Sequence, residues 1–193
     1  MKLIRITGAL LLITTFAGPA LAAEKSPAAA SAKADSAQAG PKLGKITPNG
    51  PYRIWTAING VLPDYAALKG GAGLRAQVQG LTAEPAFGKK PGDVLRQGME
   101  FHHLLEALRG ELKLGKIKVY KDPLARAVTP AVVFVNAGFG LDGLVEAFHV
   151  AMNKPDASLG KYFDVPVPSG KSPSDVYALV ELATRRLRLI QGS

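Results

Sequence analysis

Residues 90–112 read KPGDVLRQGMEFHHLLEALRGEL, and their spacing decides the fold. Val94, Gly98, Phe101, Leu105, Leu108 and Leu112 follow one another at intervals of 4, 3, 4, 3 and 4. At 3.6 residues per turn, positions spaced this way form a single stripe on one helix. Pro91 stands where a helix starts, because the first helical residue needs no N–H of its own. Asp93 follows in the first turn, where a carboxylate meets the positive end of the helix dipole.

The same start recurs three times. Thr47-Pro48-Asn49-Gly50-Pro51-Tyr52, Thr129-Pro130-Ala131-Val132-Val133-Phe134 and Ser172-Pro173-Ser174-Asp175-Val176-Tyr177 each pair a polar residue with proline and run on into apolar sequence. The four prolines lie 43, 39 and 43 residues apart, and the fourth residue after each is Tyr52, Leu95, Phe134 or Tyr177. Ser or Thr before the proline is an N-cap, its side chain accepting from the orphan N–H groups of the first turn. The pattern reads as an internal repeat of four proline-started helices.

Apolar stripes follow each start. They are Tyr52, Trp55, Ile58 and Leu62; then the stripe quoted above; then Phe134, Gly138, Leu141, Val145, Phe148 and Met152; then Val176, Val180, Ala183, Leu187 and Ile190. Alternating steps of 3 and 4 predict an all-α, four-helix-bundle-like domain with antiparallel seams. The connections are long. Residues 68–90 contain GGAG and a short helix expected near 74–81. LKLGKIKVY at 112–120 alternates apolar residues with lysine, as a strand or an extended helix exit would. Residues 162–168, YFDVPVP, hold too much proline for a central strand.

The third segment has a second reading. Gly138-Phe139-Gly140-Leu141-Asp142-Gly143 has the form GxGxxG and follows the apolar run 132–135. That allows an α+β alternative with a short strand at 131–136, since three glycines weaken a helix by about 1 kcal/mol each. A dinucleotide fold is excluded on length, because only 50 residues follow Gly143. Gly170-Lys171-Ser172 resembles the end of a phosphate loop, but Val165 stands where the first glycine belongs and Pro173 follows at once.

Residues 1–22 read as an export signal. Lys2 and Arg5 precede the apolar run 8–18, and Ala20-Leu21-Ala22 is a small-x-small cleavage site. Residues 23–45 form a flexible leader rich in Ala, Ser and Lys, and residues 46–193 form one helical domain. No other apolar run is expected to reach membrane length, so no transmembrane segment is expected after signal cleavage. The chain is then periplasmic or secreted.

The chain has 24 Lys and Arg against 15 Asp and Glu, a net charge of +9. It has no cysteine, which excludes disulfides, thiolate metal sites and thiol catalysis. Lysines cluster at Lys113, Lys116, Lys118 and Lys121, and arginines at Arg185, Arg186 and Arg188. Converging, they would make an anion-binding patch for an acidic protein, an anionic envelope component or a small ligand. Few aromatics interleave with them, so nucleic acid is not the expected partner.

Glu100-x-x-His103 and Glu146-x-x-His149 repeat the Glu-x-x-His pattern of di-metal helical bundles. On the helical wheel the first pair faces outward and the second only flanks the seam, as does His102. A metal-binding bundle using Glu100, His103, Glu146 and His149 is therefore the alternative function. No GxSxG or cysteine nucleophile is present, and no cofactor follows from any motif. The leading reading is an exported, non-catalytic helical bundle that binds a protein, an envelope polymer or a small ligand.

Overall fold

The computed structural model describes residues 46–121, 127–153 and 157–193. The signal and leader expected at 1–45 lie outside the described residues. The chain forms α1 (Asn49–Gly80), α2 (Pro91–Glu111), α3 (Pro130–Met152), a short 3-10 helix (Ala157–Tyr162) and α4 (Pro173–Gln191), with no strand among the described residues. The domain is the expected all-α bundle.

Three of the proline starts sit at the first helical residue, and Pro48 lies one residue before α1. Ser172 accepts from the Asp175 N–H, and Asp175 in turn accepts from the Ser172 N–H at 2.8 Å, a reciprocal cap. Thr129 accepts from the Val132 N–H. At α2 the Asp93 carboxylate accepts from the Lys90 N–H at 2.9 Å.

The alternative strand at 131–136 is overturned, because those residues lie in the first turns of α3. Two of the α3 glycines lie further along, where neighbours come close. A Cβ on Gly140 would stand 2.8 Å from His102 Nε2, and one on Gly143 would stand 3.2 Å from Ile117. Both are notches that let neighbours approach the α3 backbone, and that close packing offsets their weak helix propensity.

The antiparallel expectation is also overturned: all four helices run the same way. At one end the Lys171 N–H donates to Asn49 Oδ1 at 2.9 Å, and the Lys89 N–H donates to Ser174 Oγ at 3.0 Å. There Pro48, Pro91, Pro130 and Pro173, with Pro51 or the valine three residues on from each, enclose one small apolar space. Midway, Trp55 and Phe101 meet edge to face at 5.2 Å between ring centres. At the other end Tyr65 meets Phe148 at 5.9 Å. Around the ring the order is α1, α3, α2, α4, so α1 stands opposite α2 and α3 opposite α4.

Each of the first three helices is followed by a return along the outside. The first begins at Gly70 and Gly71, where the helical dihedrals break and Gly71 takes φ 72°. Residues 72–80 then form the short helix expected near 74–81 and bury Leu74 and Val78. Arg186 fixes this return to α1 and α4. Pro63 has no N–H, so the Asn59 carbonyl one turn earlier has no helical donor. Arg186 Nη1 donates to that carbonyl at 2.9 Å, and its Nη2 donates to Leu81 O at 2.8 Å.

The third return packs on α1. Tyr162 donates to Asp64 through its hydroxyl, Lys161 reaches the same carboxylate at 3.1 Å and Arg75 does so at 3.0 Å. Partial burial pulls the Asp64 carboxyl upward, but these three partners hold it below its ordinary 3.8.

Candidate functional site

The second return carries the lysine cluster, and buried polar groups hold it in place. Past α2 the chain turns through Lys113, whose φ is 58°, and runs back extended over α3. Arg109, only 5% exposed, reaches under this segment. Its Nε donates to Gly115 O at 3.0 Å, its Nη1 donates to Gly143 O at 2.8 Å, and the same nitrogen meets Glu146 at 2.8 Å. Ile117 fills the Gly143 notch. Farther on, buried Asn136 pairs with the Tyr120 backbone as a strand would. Its Oδ1 accepts from the Tyr120 N–H, and its Nδ2 donates to Tyr120 O, both at 3.0 Å. This is the extended exit expected at 112–120, paired through side chains.

With Ile117 turned inward, Lys113, Lys116, Lys118 and Lys121 are all exposed, and none forms an ion pair with a described residue. A cleft of about 260 Å³ opens between Lys116, Lys118 and α3, walled by Phe139, Asp142 and Glu146.

The arginine cluster is occupied elsewhere. Arg185 binds Glu84, Glu181 and Thr82 O; Arg186 binds Asn59 and Leu81; Arg188 binds Glu100. These contacts tie α4 to α1, α2 and the first return. The lysine segment lies on α3, across the ring from α4, so the two clusters do not converge.

The four metal-ligand candidates are spread out. Glu100 faces α4, where it takes Arg188 and the Gln97 side chain; His103 is exposed; Glu146 takes Arg109; His149 is half-buried near the end of α3. No group of three His, Asp or Glu side chains able to hold a metal occurs among the described residues. The GxGxxG glycines lie inside α3, and Lys171 and Ser172 serve as a ring contact and a cap, with Lys171 Nζ 4.5 Å above the Tyr52 ring.

His102 is buried at 4% exposure, and neither ring nitrogen has a hydrogen-bond partner of good geometry. Burial lowers its pKa below the ordinary 6.5, against weaker pulls upward from the Asn136 backbone and Glu106.

Sequence reasoning found the lysines but missed Arg109 and Asn136, which fix their segment. Arg109 directly follows the seam residue Leu108, and Asn136 interrupts the apolar run 132–137. A polar residue at a core position was the available signal. By length and composition α3 could cross a membrane, although the sequence reading gave no second run of that length. Most of its apolar stretch, 61%, is buried in the bundle. Packing by α1, α2 and the second return leaves it little polar surface. No protein-family model, curated protein sequence or solved structure matches the chain.

Proposed function

We propose that the chain is an exported, non-catalytic binding protein whose lysine strip at 113–121 holds an anionic partner outside the cytoplasm. One observation carries the reading: four exposed lysines, none ion-paired with a described residue, sit on a segment anchored from beneath by Arg109 and Asn136. A strip fixed in place binds without first paying the entropy of ordering its backbone. The arginines of α4, by contrast, already have carboxylate and carbonyl partners. Export rests on the signal at 1–22, and the four proline-started segments read as copies of one helical unit, the first three each joined to the next by a return.

Two measurements test this. N-terminal sequencing of the chain recovered from the cell envelope is expected to begin at Ala23; a start at Met1 in the cytoplasm overturns export. Retention on an immobilised polyanion is expected to fall with added salt, as exposed charges are screened. It is also expected to be lost when Lys113, Lys116, Lys118 and Lys121 are all changed to glutamine. Unchanged retention overturns the strip.

A further inference from the structure

The lysine strip holds something that binding to a soluble polyanion does not use. Val119 and Tyr120 stand between Lys118 and Lys121, and they are 46% and 41% exposed. Val119 lies two residues after the inward-packed Ile117 yet stays at the surface. Asn136 bonds both the N–H and the C=O of Tyr120 and so holds the backbone of this part of the strip to α3.

We infer that this strip is a docking surface for an anionic phospholipid bilayer, the lysines meeting headgroups while Val119 and Tyr120 enter the interface. The inference rests on the anionic-partner reading and deepens it. A polymer in water offers lysines a counter-charge but gives an apolar pair no apolar phase. A bilayer surface gives both within a few ångströms of depth. Tyrosine suits that boundary, with an apolar ring and a polar tip. Long lysine stems bury methylenes near the interface while their ammonium groups stay in the headgroup layer.

The neighbouring carboxylates do not cancel the charge. Glu146 is engaged by Arg109, and Glu111 ends α2 two residues before Lys113. Asp142 lines the cleft behind Lys116 and Lys118, so among the described residues Glu111 and Asp142 stand against four lysines.

The test uses the chain from Ala23 on, as expected after signal cleavage, and variants sharing its residues 23–45. Co-sedimentation is measured with vesicles of zwitterionic phospholipid, with and without an anionic phospholipid, and in parallel with a soluble sulfated polysaccharide. Changing the four lysines to glutamine is expected to lower partition into anionic vesicles by roughly fivefold per lysine, and to weaken polysaccharide binding as well. Changing Val119 and Tyr120 to serine together is expected to lower vesicle partition by about five- to tenfold, with polysaccharide binding unchanged. Matched thermal midpoints verify that each variant folds, and Tyr120→Asn alone replaces the double variant if its midpoint falls. Equal vesicle binding by the apolar variant and the parent overturns the bilayer, as does a parent that binds polysaccharide but not anionic vesicles; both leave the anionic reading standing. Indifference of both ligands to the lysine changes overturns the two readings together.

Discussion

Gly138 and Gly140 lie two residues apart in one helix, yet substitution should move them in opposite directions. A Cβ on Gly138 meets nothing within 4 Å, while one on Gly140 would press on His102 Nε2 at 2.8 Å. Gly138→Ala should therefore stabilise the domain by up to about 1 kcal/mol, the helix-propensity difference alone. Gly140→Ala gains the same propensity but must displace a buried ring, and should destabilise by about 1–3 kcal/mol. Urea melts of the two variants check this; equal shifts would show that the His102 contact has no consequence. His102 itself should make stability depend on pH. Its folded pKa lies below 6.5, so on acidification the unfolded chain takes up the proton first. Stability is full above 6.5 and declines as pH falls from there toward the folded pKa. Asp64, held below 3.8, acts only at lower pH, with the same sign. His102→Leu should flatten the slope that sets in as pH falls below 6.5. A slope unchanged in that variant would assign it to other groups. Gly140 also shows where sequence reading stops. Its stripe placed Gly138 and Leu141 on one face, but nothing local says which glycine a neighbouring ring will press on.

The returns, more than the helices, set what this domain presents. A helix was legible from its period and its cap, and the stripe of α4 is buried in full as read. The return at 112–121 was legible only as alternation, because its pairing partners are side chains on helices, Arg109 on α2 six residues before Gly115 and Asn136 on α3 sixteen residues after Tyr120, and alternation says nothing of them. Asn136→Ala removes both bonds to the Tyr120 backbone and a third to Val132 O at 2.9 Å. The bond to Val132 is internal to α3, so the loss should fall mainly on the return. We expect a global cost of about 1–3 kcal/mol for the buried backbone groups left unpaired. A larger local effect should appear as faster tryptic cleavage after Lys118 and Lys121, measured under native conditions. Arg109→Met should release the other end of the segment and speed cleavage after Lys113 and Lys116. Cleavage that accelerates equally at all lysines in both variants would mean global unfolding and no separate anchors. The same logic separates the two basic clusters, which look alike in sequence. Charge runs do not reveal whether carbonyls and carboxylates will converge on them, and they do so on the arginines of α4 and not on the lysines of the return.

Helix direction is a property of the whole molecule, and the stripes are silent about it: steps of 3 and 4 describe a face, which packs against a parallel or an antiparallel neighbour. The information lay in the connections. Antiparallel neighbours need only a few residues between them, whereas a parallel neighbour needs enough chain to travel back along a helix. A 21-residue helix is about 32 Å long. Residues 112–129 and 153–172, at about 3.3 Å each when extended, reach roughly 60 Å, nearly twice what the return requires. The first connection saves length differently, by folding part of itself into the helix at 72–80. Chain direction is testable because the protein has no cysteine of its own. An up-and-down bundle would set the start of α1 beside the end of α4. Here the start of α1 touches the start of α4, with the Lys171 N–H bonded to Asn49 Oδ1. Asn49→Cys with Lys171→Cys should therefore be joined rapidly by a short bifunctional thiol reagent. Asn49→Cys with Gln191→Cys should not, because the 19 residues of α4 put about 28 Å between its ends. An up-and-down chain gives the reverse result, so the two crosslinking rates decide the direction of α4 against α1. The lysine strip depends on the same geometry. Only a chain that must climb back over α3 to start its next helix lays an extended segment across that face, where Ile117 packs inward, the lysines project outward and Asn136 can hold Tyr120.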